Sequence, residues 1–125
     1  MANVFKVKTK SDLPSNANTN IYTVPASTTS IVLGMILSNK STATIKATVY
    51  LETDTIDSET NETVALMNEV AIPQNSSLEV FQGQKLVLQT TDIIKAKCDS
   101  NTSLDFALSI LEMTWWVKFW IGWIN

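Results

Sequence analysis

The sequence predicts an all-β protein, a single antiparallel β-sandwich of the Greek-key or jelly-roll type. Three observations lead to this class. Short runs rich in β-branched and alternating apolar residues fill residues 1–114, and clusters of polar turn residues separate these runs. No stretch of this region combines sustained helical spacing with capping residues. Eight or nine short strands within about 110 residues are typical of two packed sheets.

Nine strands are predicted in order along the chain. Their ranges are 4–9, 20–24, 29–38, 43–53, 62–72, 77–82, 85–90, 92–98 and 103–112. Two of the strands place four apolar residues on one face, namely Ile45, Ala47, Val49 and Leu51 in the fourth and Leu104, Phe106, Leu108 and Ile110 in the ninth. An alternation of period two indicates a strand with one side in the core and the other in water.

Turn residues separate the predicted strands. Pro25 and Pro73 each follow an apolar run and end it, because proline cannot donate to a sheet ladder. The clusters SNKST (38–42) and CDSNTS (98–103) hold side chains that bond their own backbone in turns. Gly83 lies where a tight hairpin needs a positive φ.

The longest polar stretch, residues 53–62, is predicted to be a mobile loop. It contains Asp54, Asp57 and Glu59, whose carboxylate oxygens are ligands that Ca²⁺ accepts. The spacing matches no EF-hand, however, and acidic loops are usually only solvated. The solvated loop is therefore the preferred interpretation.

Composition argues against an enzyme and against a nucleic-acid-binding protein. The 125-residue chain contains no histidine and three glycines, so it lacks Ser–His and Cys–His pairs and any glycine-rich phosphate loop. Its net charge of -3 provides no basic field for nucleic acid. The single cysteine, Cys98, lies beside Asp99, which raises a thiol pKa, and is predicted to be inert. No catalytic residue, metal ligand or cofactor is predicted.

Three lysines alternate near the start of the chain. Lys6, Lys8 and Lys10 are spaced so that they share one face of the first strand. The preferred interpretation is a solvent-exposed edge strand whose charges discourage pairing with strands of other chains. Contact with an acidic partner surface is the weaker alternative.

Four stretches of the chain resemble small virion structural proteins of tailed bacteriophages, notably those of contractile-tailed cyanobacterial phages. The stretches are IYTVPASTTSIVLGMILSN (21–39), ATVYLE (47–52), VAIPQNSSLEVFQGQKLVLQTTDIIKAKC (70–98) and LDFALSILEMT (104–114). The resemblance implies a β-sandwich subunit repeated in a particle, as a head-decoration, neck or tail component. It implies localisation in the virion, assembly in the host cytoplasm and other virion proteins as partners. It carries no active site, and it does not extend beyond residue 114.

All four tryptophans lie in residues 115–125, WWVKFWIGWIN. In a helix, five aromatic residues fall within one arc, namely Trp115, Trp116, Phe119, Trp120 and Trp123. In a strand, Trp115, Val117, Phe119, Ile121 and Trp123 form one apolar face. The pattern permits both conformations, and the helix is the preferred interpretation. Eleven residues fall short of the ~20 that a spanning helix needs.

A segment this apolar has to be shielded from water, and three kinds of surface could shield it. Residues 115–125 could pack on their own sandwich, against copies and neighbouring subunits, or in a membrane interface, where tryptophan is favoured. The second is preferred, because tryptophan is enriched among binding hot spots and the single Lys118 attracts anionic lipid only weakly. We therefore expect a sandwich domain (1–114) and an aromatic assembly segment (115–125) in a homo-oligomer, with a trimer as the working guess.

The predicted function is a non-enzymatic structural role in a virion, exerted through protein–protein assembly. Two alternatives are a module that binds a host surface glycan and a carrier domain for a membrane-interacting segment. The first needs exposed aromatic residues in loops, and the sequence before residue 115 places its aromatic residues mostly in strands. The second needs the segment to bind lipid.

Overall fold

A computed structural model describes residues 2–53, 61–81 and 84–114, and in these ranges all regular structure is strand. Apolar residues alternate with polar ones over most of these strands, which is the pattern of a pleated sheet with one buried side. The nine strands are β1 (Ala2–Lys10), β2 (Thr19–Thr23), β3 (Thr28–Asn39), β4 (Ile45–Glu52), β5 (Val64–Ile72), β6 (Ser77–Glu79), β7 (Leu86–Leu88), β8 (Ile93–Cys98) and β9 (Leu104–Thr114).

The strands form two antiparallel sheets. In the first sheet the order is β1-β9-β3, and the far side of β3 pairs with both β6 and β7. In the second sheet the order is β2-β8-β4-β5. Pairing is nested along the chain, because β1 pairs with β9, β2 with β8, β3 with β6 and β7, and β4 with β5. This nested wrapping is the arrangement of a jelly roll.

The predicted β-sandwich is confirmed, and each of the nine predicted strands corresponds to an observed one. The differences are at the ends, where β1 and β9 extend further than expected and β6 and β7 are only three residues long. Three predictions fall outside the described residues. They are the hairpin at Gly83, the acidic part of the loop at 54–60 and the conformation of 115–125.

The core lies between the two sheets. The apolar faces predicted for β4 and β9 are both buried, and Phe106 is the largest of their side chains. Thr48 departs from the expected alternation, since it is buried although its neighbours in the polar row are not. Its Oγ1 accepts the backbone N–H of Glu69 at 3.0 Å, where β5 forms a bulge with a φ of 48°. The bulge therefore folds the edge strand over Thr48.

Asn39, at the end of β3, is a buried connector between strands. Its Nδ2 lies 2.8 Å from the carbonyl oxygen of Ala43, 2.9 Å from that of Ile72 and 3.1 Å from that of Pro73. Its Oδ1 accepts hydrogen bonds from the backbone N–H and the hydroxyl of Ser41. The sequence placed this residue in a turn, and the structure shows that the same side chain also holds the end of β5.

We expect Asn39→Ala to lower the free energy of unfolding by about 2–4 kcal/mol, because it leaves buried carbonyl groups without donors. The measurement is urea denaturation followed by far-ultraviolet circular dichroism. The control is Asn20→Ala, which removes an exposed amide that donates to the hydroxyl oxygen of Thr23 and should cost about 0.5 kcal/mol or less. Equal decreases in the free energy of unfolding in the two variants would contradict the role of Asn39 as a connector.

Candidate assembly interface

The outer faces of the two sheets differ in chemistry. The second sheet presents mainly charged and polar side chains, among them Lys46, Tyr50, Glu52, Lys95 and Lys97. Glu52 and Lys95 form an ion pair across neighbouring strands at 2.6 Å. This face has the usual character of a solvated antiparallel sheet.

The first sheet presents an apolar row that crosses four strands. Phe5 on β1 lies opposite Leu111 on β9, Leu111 lies opposite Ile31 on β3, and Ile31 lies opposite Val87 on β7. We call these four residues the apolar band. Phe5 is 75% exposed and Val87 is 61% exposed, while Leu111 and Ile31 are half-buried. With strands ~4.8 Å apart, the band is about 14 Å wide.

A groove lies beside the apolar band on the same face. Its volume is about 240 Å³, and it is lined by Leu33, Gly34, Met35, Ile36, Glu79, Phe81, Ala107 and Ser109. Gly34 follows a bulge in β3 and lies opposite Ser109, and a β-carbon added to Gly34 would meet no atom within 4 Å. Glycine and serine thus leave a hollow between larger side chains.

The three lysines of β1 point toward the opposite sheet, and the apolar residues of β1 point outward. Lys6, Lys8 and Lys10 lie opposite core-facing residues of β9, whereas Phe5 and Val7 share the outer face. The prediction of an edge strand is confirmed, because β1 ends the first sheet. Inward-pointing charges on an edge strand discourage pairing with another chain.

Glu112 explains why the lysines point inward. It is buried on β9, and Lys6 Nζ lies 2.8 Å from its Oε1. The hydroxyl of Tyr22 donates to its Oε2 at 2.5 Å and also lies 2.6 Å from the hydroxyl oxygen of Ser30. Lys8 Nζ lies 5.9 Å from the centre of the Tyr22 ring. This polar cluster joins β2 of the second sheet to three strands of the first.

The cluster shifts the pKa values of two of its members. Burial opposes ionisation of Glu112, but hydrogen bonds from Lys6 and Tyr22 outweigh it and lower the pKa of the carboxyl group. Burial, reinforced by the hydrogen bond to Glu112, raises the pKa of the Tyr22 hydroxyl. The carboxylate is thus the favoured form of Glu112, with Tyr22 as a neutral donor.

Sequence reasoning missed this cluster. Glu112 continues the even-numbered, core-facing row of β9, and this parity was the only available signal. Its partner Lys6 belongs to the other end of the chain. No local pattern relates the two residues, so the pairing needed the strand order.

The structure supports an inert thiol. Cys98 is buried, and its Sγ lies 2.9 Å from the carbonyl oxygen of Ser100. Burial and then the neighbouring Asp99 raise its pKa, which suppresses the reactive thiolate. Within the described ranges, no three acidic or thiol side chains are grouped to hold a metal ion, and no helix is long and apolar enough to cross a membrane.

The predicted interface residues Trp115, Trp116, Phe119, Trp120 and Trp123 all lie outside the described residues. Their attachment point is described, because β9 ends at Thr114, three residues beyond Leu111 of the apolar band. Thr114, the residue before the segment, therefore lies at the same end of the same sheet as the band.

No family model and no curated sequence matches the chain. Two solved structures share its fold. One is a subunit of the disulfide-linked pili of Bacillus endospore appendages, with a TM-score of 0.51 and 11% identity over 90% of this chain and 88% of that one. The other is a chain of the T13 IBDV viral particle, with a TM-score of 0.54 and 9% identity over 88% of this chain. This chain spans 30% of the viral one. These likenesses establish the fold.

We expect Glu112→Gln to lower the free energy of unfolding at pH 7 by roughly 1–3 kcal/mol, since it weakens hydrogen bonds to a charged group. Because the folded protein lowers the pKa of Glu112 from 4.5, the carboxylate stabilises the fold above that pH and loses its effect as the pH falls further. The difference between variant and unmodified protein should therefore shrink from pH 7 to pH 3.

Urea denaturation at both pH values measures this difference. Glu62→Gln is the control, because Glu62 is exposed. A Glu112→Gln difference that is the same at pH 3 and pH 7 would show that the charge of Glu112 contributes nothing to stability.

Proposed function

We propose that the chain is a non-enzymatic structural subunit that assembles with copies of itself and with neighbouring proteins through segment 115–125. The observation that carries this proposal is the apolar band on the outer face of the first sheet. In a single chain its ends, Phe5 and Val87, are largely exposed to solvent. A contiguous row of apolar side chains with exposed ends is a candidate interaction surface.

The chain thus has two apolar elements that association could cover, the exposed band and the tryptophan-rich sequence of residues 115–125. Each aromatic ring can bury on the order of 150–250 Å², at about 25 cal/mol per Å². Association has to offset lost translational and rotational freedom, and aromatic anchors are the residues that commonly do so.

The fold neighbours support an assembly role. One is described as a pilus protein and the other as part of a viral particle, and both architectures repeat subunits. Disulfide linkage, as described for the pili, does not suit this chain, because Cys98 is its single cysteine and is buried. The contacts proposed here are therefore non-covalent.

We place this subunit in the virion of a tailed bacteriophage, as a head-decoration, neck or tail component. The support is the resemblance of residues 21–39, 47–52, 70–98 and 104–114 to such proteins. A closed homo-oligomer, with a trimer as the working guess, would cover both apolar elements. Its virion neighbours would contact the remaining surface of the sandwich.

Deletion of residues 115–125 should leave a folded sandwich that forms smaller particles. The fold should survive because every buried core residue in the described ranges lies between Leu13 and Ile110. Sedimentation velocity measures the size, and a circular dichroism melt checks the fold.

A folded deletion variant with an unchanged sedimentation coefficient would overturn the proposal. Liposome flotation of both forms tests the membrane alternative. Flotation of the complete chain alone, with no change in oligomer size, would make segment 115–125 a lipid-binding element instead.

A further inference from the structure

Building on the proposed function, we propose that the apolar band and the adjoining groove are the docking site for segment 115–125 of a second copy of this chain. The inference rests on four features. These are the position of the attachment point, the chemistry of the segment, the shape of the groove and the protection of the sheet edges.

The attachment point lies beside the docking surface. Thr114, the last residue of β9, lies opposite Ala2 on β1 and Thr28 on β3. Leu111 of the apolar band precedes it by three residues on the same strand. The attachment point and the apolar band therefore share one end of the first sheet, and the groove continues from the band toward the middle of β9.

The sequence of the segment favours exchange over folding back. For the segment to fold onto the band of its own copy, the chain would have to reverse direction soon after Thr114. Residues 115–121, WWVKFWI, contain none of the Gly, Pro, Asn, Asp or Ser residues that build tight turns, and the first is Gly122. Seven residues without a turn span roughly 10 Å as a helix or 23 Å as a strand. A segment of this length that does not turn back would extend past its own band, toward a neighbouring copy.

The groove suits an aromatic side chain with a polar edge. Its apolar wall includes Ile36 and Phe81, and its floor at Gly34 is open. Ser109 and Glu79 place a hydroxyl and a carboxylate in its lining. An indole ring needs apolar surroundings for its faces and an acceptor for its N–H, and this lining offers both.

The edges of the first sheet are less suited to a partner than its face. Lysines of β1 point inward along one edge, and β6 and β7 divide the other edge into two strands of three residues each. Inward charges and short edge strands both discourage addition of a further strand. In the apolar band, the outer face of the first sheet has no such features that would discourage binding of a partner.

The decisive variant is Phe5→Lys/Val87→Lys in the complete chain. Both side chains are more than half exposed, so the fold should tolerate them, and they place charge at both ends of the apolar band. We expect association to weaken about tenfold or more, as for loss of interface anchors. Val87→Lys alone is compared with Val64→Lys, which places the same charge on an exposed valine of β5 in the second sheet. The Val64 variant should associate normally.

Tryptophan fluorescence reports on the segment alone, because all four tryptophans lie in residues 115–125. Docked indoles should emit at shorter wavelength than indoles in water. The double variant should therefore show a red-shifted emission together with its smaller sedimentation coefficient. A red shift without any change in size would mean that the segment covers its own band, and would overturn the exchange.

A mixing experiment tests whether the segment of one copy binds the face of another. The deletion variant keeps the face and lacks the segment, and the double variant keeps the segment and lacks a functional face. Each should associate poorly alone, and a mixture should form a complex containing both, with a blue-shifted emission. A mixture that forms no such complex overturns the inference.

The two proposals fail in different ways. If deletion of residues 115–125 leaves the oligomer unchanged, the assembly role of the segment is wrong, and the docking site falls with it. If the deletion reduces the oligomer while Phe5→Lys/Val87→Lys does not, the segment assembles the protein through another surface. In that case only the docking site is wrong.

Discussion

The ion pair between Lys6 and Glu112 determines which way β1 faces, and the outer surface of the first sheet follows from that choice. Glu112 is buried among core residues and needs a cation within reach. Lys6 supplies it only if the even-numbered residues of β1 point inward. Strict alternation then turns Phe5 and Val7 outward. The pairing of the buried Glu112 carboxylate on β9 with Lys6 thus leaves the aromatic ring of Phe5 on β1 exposed.

This coupling links stability to assembly. Tyr22 and Ser30 complete the hydrogen bonding of the cluster and join the two sheets at the point where β1 is attached. Loss of the cluster would loosen an edge strand that carries one end of the apolar band. Conditions that protonate Glu112 should therefore weaken both the fold and the docking surface that we propose.

Exchange of segment 115–125 between copies would make an interface of two different surfaces, a segment and a face. Such heterologous contacts close into rings when the rotation between neighbours closes, and otherwise extend as filaments. A trimer is the smallest ring above a dimer. A filament such as a pilus is the arrangement that does not close. In such an exchange, the angle between the segment and the sheet of its own copy would set that rotation.

The strands and the fold class could be predicted from the sequence, because alternation and turn residues act over a few neighbouring positions. The sequence also identified the buried rows of β4 and β9, the edge character of β1 and the inert Cys98. Strand order, the Lys6–Glu112 pair and the connections of Asn39 depended on the tertiary structure, since each joins residues far apart in the chain. The apolar band is the clearest case. Phe5, Ile31, Val87 and Leu111 come from four strands, and only the register of the first sheet brings them into one row.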